Sequence, residues 1–212
     1  VNLGVGEDAG RPPHLTGRQL LRHFGLAPGT PEAYAFSAED FVALARDYGK
    51  IGGLDRMATL IKAIRADRPG ATLLLDGGDT WQGSYTSLME RGADMVEVVQ
   101  ALGVEAMTAH WEFTYGAARV NELKAKLAYP FLCGNVKDTT WGDPVFQASQ
   151  SFERAGLKIV VIGQAFPYTP IANPRWVIPD WSFGIEEERL QANVDKAHSE
   201  GADLVVLLSH NG

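Results

Sequence analysis

The chain carries a single cysteine, Cys133, in 212 residues. A disulfide within the chain needs two, so no disulfide framework staples it. Long apolar runs are missing as well. No stretch of 18 or more apolar residues occurs, which excludes a membrane-spanning helix. Positive charge is in short supply: 19 Lys and Arg stand against 26 Asp and Glu, a formal net charge of −7. A nucleic-acid binder would need a basic footprint, so nucleic acid is not expected as a partner. Internal repeats and low-complexity segments are absent. No G-x-G-x-x-G follows a predicted strand, which argues against a dinucleotide-binding module. No signal peptide is legible. The chain opens at Val1 without an initiator Met and stops at Gly212 just after an apolar run. These ends read as those of an internal piece of a longer protein, so the missing signal leaves localisation open.

What is present is enough for a core, since 45% of the residues are hydrophobic. The organising stretch is Leu73-Leu74-Leu75-Asp76-Gly77-Gly78-Asp79-Thr80-Trp81-Gln82-Gly83-Ser84. An apolar run bounded by glycines predicts a buried strand. The carboxylates and small residues after it predict a loop in which the backbone approaches a ligand closely. An aspartate in such a loop is most often a helix cap or a turn residue, and Asp79 has that ordinary reading too.

Residues 1–37 are dense in turn signals, with a short helix expected over 16–24. A helix over 38–49 is expected to start at a Ser37 cap. Leu54, Met57, Leu60, Ile61 and Ile64 share one helical face, and Pro69-Gly70 closes that helix. Further helices are expected over 94–102, 117–128 and 185–199. Strands are expected over 73–76, 104–108, 131–133, 145–150, 157–162 and 204–208. Residues 165–183 are rich in Pro and aromatics without a helical period. A connector of that length is expected to cover a site. The alternation predicts an α/β architecture with a largely parallel central sheet.

Parallel strands present their C-terminal ends on one rim, where ligands collect. Asp79, His110, Asn135, Gln164 and His210 each follow a predicted strand. Each has an ordinary alternative as a hydrogen-bonded structural residue. The shared strand-end position is what raises Asp79, His110 and His210 above it. One carboxylate and two imidazoles without thiolate suit manganese, zinc or iron. His14, His23 and His198 have no such context and read as surface residues.

Two segments match a known pattern. Gly78-Asp79-Thr80-Trp81-Gln82-Gly83 resembles the GDxxxG block of the calcineurin-like metallophosphoesterases, in their 5′-nucleotidase branch. Leu208-Ser209-His210-Asn211-Gly212 resembles that branch's LSHxG block. His110-Trp111-Glu112-Phe113-Thr114-Tyr115-Gly116 stands where the branch has NHEFDYG. His110 therefore replaces the family's metal-ligand Asn, and Trp111 replaces its catalytic His. This version, with the Gly163–Pro174 segment, the PPHLTG start and the PDWSFGI segment, resembles the SoxB-type thiosulfohydrolases of bacterial sulfur oxidation.

The resemblance implies a metallophosphoesterase-like α/β/β/α sandwich, here a partial N-terminal domain over 1–212 with the C-terminal substrate domain absent. It implies two manganese ions held by Asp79, His110 and His210 together with ligands outside this sequence. It implies a periplasmic enzyme that releases sulfate from a cysteine S-sulfonate on a SoxYZ-type carrier protein. Asn135, Gln164, Phe166 and Tyr168 are expected near the substrate. The alternative on the same scaffold is a 5′-nucleotidase-type phosphohydrolase. Trp111 opposes it, because an indole N–H cannot exchange a proton with a leaving alkoxide at neutral pH.

Overall fold

The computed structural model describes residue 15 and residues 17–37, 39–49 and 52–210. His14, Asn211 and Gly212, and with them part of the PPHLTG and LSHxG segments, lie outside the described residues. The chain divides into two units, residues 1–57 and 58–212.

The first unit holds three short helices: α1 (Gly17–His23), α2 (Pro31–Phe36) and α3 (Phe41–Tyr48). Helix α2 lies in a stretch expected to be loop. Its start is specified locally: Pro31 opens the first turn, and the Thr30 hydroxyl accepts from Ala33 N at 3.3 Å. The N-cap position of helix α3 is Asp40 rather than Ser37. Ser37 instead ends α2, and its hydroxyl accepts from Glu39 N at 3.0 Å. Tyr34 is buried, donates its hydroxyl to Gly49 O at 2.7 Å and stacks on Tyr48.

Helix α4 (Leu54–Asp67) spans the division between the units. Its apolar residues line one face as expected, but none is buried; Met57, Leu60 and Ile64 are all exposed.

The second unit is the α/β part. Strand β1 (Leu75–Asp76) pairs parallel with β2 (Ala106–Met107), Leu75 opposite Ala106. Between them lie α5 (Tyr85–Glu90), capped by the Ser84 hydroxyl on Ser87 N at 3.0 Å, and α6 (Ala93–Leu102). A 3-10 turn (Trp111–Tyr115) and α7 (Ala117–Lys124) follow β2. Residues 131–133 form parallel bridges to Met107 and Gln147 instead of a full strand. Strands β3 (Lys137–Asp138) and β6 (Trp181–Ser182) make an antiparallel pair. The last sheet has the order β4 (Ser149–Arg154), β5 (Leu157–Gln164), β7 (Leu204–Ser209). Strand β5 is antiparallel to β4 and parallel to β7. The sheets are thus mixed where a largely parallel one was expected. The reason is local: Ala155 and Gly156, both at positive φ, turn β4 straight back into β5. Helix α8 (Thr169–Ala172) precedes β6, and α9 (Glu187–Ser199) precedes β7.

Side-chain alternation along β5 divides the layers. Val160 and Ile162 pack with Ala197, Leu190 and Val194 of α9. Val161 and Ile159 face the other way, against Ala106, Leu132, Leu73 and Leu75. The largest cluster lies around Trp81, Phe113, Phe131 and Phe146, beneath the loops that leave β1 and β2.

Candidate metal centre

The loop after β1 is shaped by a carboxylate at its root. Asp76 accepts from Gly78 N at 2.9 Å and from the Thr80 hydroxyl at 2.8 Å. Between those two anchors Asp79 takes a left-handed backbone, φ 67°. For a residue with a Cβ that conformation costs about 1–2 kcal/mol, so it persists only where neighbours hold it. Gly78, at φ 89°, lies directly on the loop after β2. A Cβ there would sit 2.9 Å from Ala109 Cα and 3.1 Å from His110 N. The two loops therefore touch through their backbones.

A second carboxylate fastens them together. Glu112 is fully buried. Its Oε1 accepts from Thr80 N at 2.6 Å and from Trp81 N at 3.3 Å, and its Oε2 accepts from His110 N at 2.6 Å. Burial pushes its pKa up, and the backbone N–H donors pull against that shift. Phe113 anchors the turn that carries it, with its ring 4.9 Å from that of Phe183 and 6.0 Å from that of Trp181.

Asp79, His110 and His210 converge on this frame. Each offers a ligand atom, and these atoms all lie within 4.8 Å of one another. His110 Nδ1 stands 3.5 Å from Asp79 Oδ2, and the two imidazole rings are 4.2 Å apart. His210 arrives from the end of β7, where its N–H donates to Gln164 O at 3.2 Å. Its Nδ1 sits 2.7 Å from Gly77 O. His110 Nδ1 is buried and has no hydrogen-bond partner among the described residues. A buried polar atom left open beside a carboxylate and a second imidazole is the arrangement a cation would complete. Burial lowers the His110 pKa, and His210 adds to the shift; Asp79 opposes it. The net shift favours the neutral ring, the form that donates a lone pair to a metal.

The other residues expected near a substrate separate into two kinds. Phe166 packs its ring 4.3 Å from that of His110, and its N–H donates to Ala109 O at 3.0 Å. Tyr168 is exposed and meets the Phe166 ring at 5.7 Å. Asn135 is buried and committed: Oδ1 accepts from Ala165 N at 2.8 Å, while Nδ2 donates to Ala165 O at 2.8 Å and Gly184 O at 3.0 Å. It clamps both ends of the segment expected to cover a site. Gln164 is buried at the end of β5 and gives its carbonyl to His210. Trp111 is half-buried, its ring 5.1 Å from that of His110. His23 and His198 are exposed, as expected.

Glu112 and Asp76 escape a reading of the sequence alone.

No protein-family model matches the chain. Curated relatives of the chain include several 5′-nucleotidases. The snake venom 5′-nucleotidase of Gloydius brevicauda is 30% identical over 79% of this chain. The 5′-nucleotidase of Vibrio vulnificus is 29% identical over 78% of it. Among solved structures, the sulfate thiohydrolase SoxB of Thermus thermophilus, in complex with glycerol, is 44% identical and covers 96% of this chain with a TM-score of 0.87. A calcineurin-like phosphoesterase from Bacillus subtilis superposes on 76% of the chain with a TM-score of 0.66 at 24% identity.

The fold is that of the calcineurin-like phosphoesterases. Within it the chain is similar to SoxB along almost its whole length, and to the 5′-nucleotidases along about three quarters of it. The chain spans only about a third of its relatives: 38% of the SoxB chain, 30% of the venom enzyme and 31% of the Vibrio enzyme. What it shares with them is therefore part of a phosphoesterase-fold domain.

Proposed function

We propose that residues 1–212 belong to the N-terminal domain of a metal-dependent hydrolase that releases sulfate from a sulfur-bound sulfonate. Asp79, His110 and His210 are the residues of this chain that would hold metal, with further ligands and a substrate domain supplied outside it. When bound, divalent ions supply Lewis-acid polarisation of the attacked group and a hydroxide nucleophile at neutral pH. Manganese is the metal we favour, a choice compatible with the nitrogen and oxygen donors.

The observation that carries the reading is Trp111 beside His110 at the rim where Asp79 and His210 also arrive. Hydrolysis adds water across the S–S bond of a cysteine S-sulfonate. The water oxygen joins the sulfonate sulfur, and the bonding pair leaves on the cysteine sulfur, giving thiol and hydrogen sulfate. A thiol has a pKa of about 8.5, so its sulfur can depart as the anion without an acid beside it. An alkoxide cannot, and an indole N–H does not give up its proton at neutral pH. The 44% identity to the sulfate thiohydrolase SoxB supports the same choice. The carrier would be a SoxYZ-type protein with a cysteine on a flexible tail, and the compartment the periplasm.

The second reading is a 5′-nucleotidase-type phosphohydrolase, supported by the relatives of that name. One experiment separates the two. The full-length, manganese-loaded protein is offered AMP and a carrier-protein cysteine S-sulfonate side by side. Sulfate release with little phosphate is the expected result. Efficient phosphate release from AMP with no sulfate from the carrier would reject the proposal in favour of the second reading.

A further inference from the structure

Neither the resemblance nor the relatives assign any role to Glu112. Its position is unusual on physical grounds. A fully buried carboxylate needs compensation, and here the whole of it comes from backbone N–H groups. Those donors belong to two loops separated by about thirty residues in the chain: Thr80 and Trp81 follow Asp79, and His110 carries its own N–H to the same carboxylate. Each of the two oxygens serves a different loop. The loop of Asp79 is also the one with a left-handed backbone, and Gly78 is pressed against Ala109 and His110 at its base.

We infer that Glu112 is a positioning residue for the metal site, setting the separation between the Asp79 carboxylate and the His110 ring. This rests on the metal-centre reading above and deepens it. Among the described residues, no other side chain holds Thr80 N and His110 N at a common point. Without the carboxylate Asp79 could relax from φ 67° to an ordinary conformation, carrying its own carboxylate away from His110. Asp76 would not prevent this, because it holds only Gly78 and the Thr80 hydroxyl, both on one loop.

Glu112→Gln tests the inference, since it keeps the shape and replaces one acceptor oxygen by an NH2 donor. Whichever way the amide is turned, a donor then faces one of the two loops. The full-length protein is stripped of metal, and wild type, Glu112→Gln and Glu112→Asp are titrated with manganese by calorimetry. Hydrogen exchange of the Thr80, Trp81 and His110 amides is followed in the metal-free state. Outer partners of metal ligands are worth roughly 10–100-fold in affinity. The expected result for Glu112→Gln is a loss in that range, with exchange protection lost selectively in one of the two loops. Glu112→Asp keeps the charge but is one methylene short of bridging both loops. It should fold and lose affinity several-fold, which covers the case in which the Gln variant does not fold. Binding within twofold of wild type by both variants, whatever their melting temperatures, overturns the inference and leaves the metal site standing. Failure of the wild type itself to bind a divalent ion removes the metal-centre reading and this inference with it.

Discussion

His210 Nδ1 lies 2.7 Å from the carbonyl oxygen of Gly77, 133 residues earlier in the chain. A carbonyl only accepts, so Nδ1 must carry a proton, and the tautomer this selects is the one whose Nε2 lone pair is open to a ligand. The contact fixes the ring's tautomer and its direction together. In the metal-free full-length protein, 15N NMR should find His210 as the Nδ1–H tautomer. His210→Ala should lower manganese affinity by more than about tenfold, since removing a direct ligand costs at least as much as the roughly 10–100-fold of an outer partner. An Nε2–H tautomer would contradict this orientation of the ring.

Gly78 should tolerate no side chain. Its φ of 89° and the 2.9 Å approach to Ala109 Cα leave a Cβ nowhere to go. Backbone yields less readily than a side-chain tip, so Gly78→Ala should cost about 2–4 kcal/mol from the left-handed penalty plus overpacking. Urea unfolding measures it. A cost under about 0.5 kcal/mol, the range of ordinary surface changes, would mean that the loops can part without consequence.

Trp111→His restores a group that can pass a proton to a leaving oxygen. The variant should gain phosphate release from AMP while sulfate release stays the same or falls. Phosphate assays on the manganese-loaded full-length protein decide it. No gain would place the obstacle to nucleotide hydrolysis elsewhere, in the pocket that receives the nucleoside.

Phe166 and Tyr168 should respond differently. Phe166 packs on the His110 ring, so Phe166→Ala should weaken metal binding as well as lower the melting temperature. Tyr168 is exposed and touches only Phe166 among aromatic rings of the described residues. Tyr168→Ala should change stability by no more than about 0.5 kcal/mol. A fall in carrier turnover by that variant would mark the 165–183 segment as the way in; normal turnover would make it a packing segment.

Asp138 gives a pH dependence away from the site. Its carboxylate accepts from Trp141 N at 2.7 Å, Asp143 N at 2.6 Å and Thr140 N at 2.9 Å. Those bonds, Trp141's foremost, hold its pKa below the ordinary value. A depressed folded-state pKa stabilises above the unfolded value of about 3.9, and the contribution disappears as pH falls through the folded pKa. Carboxyl 13C titration should place Asp138 below about 3.9, and Asp138→Asn should flatten the stability profile only at acid pH.

The sequence exposes the residues of the candidate site better than their supports. Asp79, His110 and His210 can be found because each follows an apolar run that reads as a strand, and strand ends meet. Helices α2 and α5 cannot, because six residues complete fewer than two turns and give periodicity no room to register. The two-residue strands β3 and β6 are invisible for the same reason. Asn135 is legible as a residue that follows an apolar run, but only the folded chain reveals its amide bonded to Ala165 and Gly184. Glu112 is hidden by its ordinary neighbourhood: a glutamate in the first turn after a histidine looks like a solvated helix start. Its meaning depends on Thr80 and Trp81, which no local pattern connects to it.

The placement of His210 just after β7, the last strand among the described residues, also bears on the order of folding. Asp79 and His110 lie in the loops that follow two adjacent parallel strands and can meet as soon as β1 and β2 pair. His210 joins them only once β7 has docked along β5, from Ile159 opposite Leu204 to Gln164 opposite Ser209. Contacts this far apart in sequence close slowly, because a long loop must be ordered before they repay it. A nascent chain therefore passes through a stage with two donors in place and the third still unformed. On the metal-site reading proposed above, an ion held by all three would bind only the finished fold, so its uptake would report completion and then pull the equilibrium toward the native state.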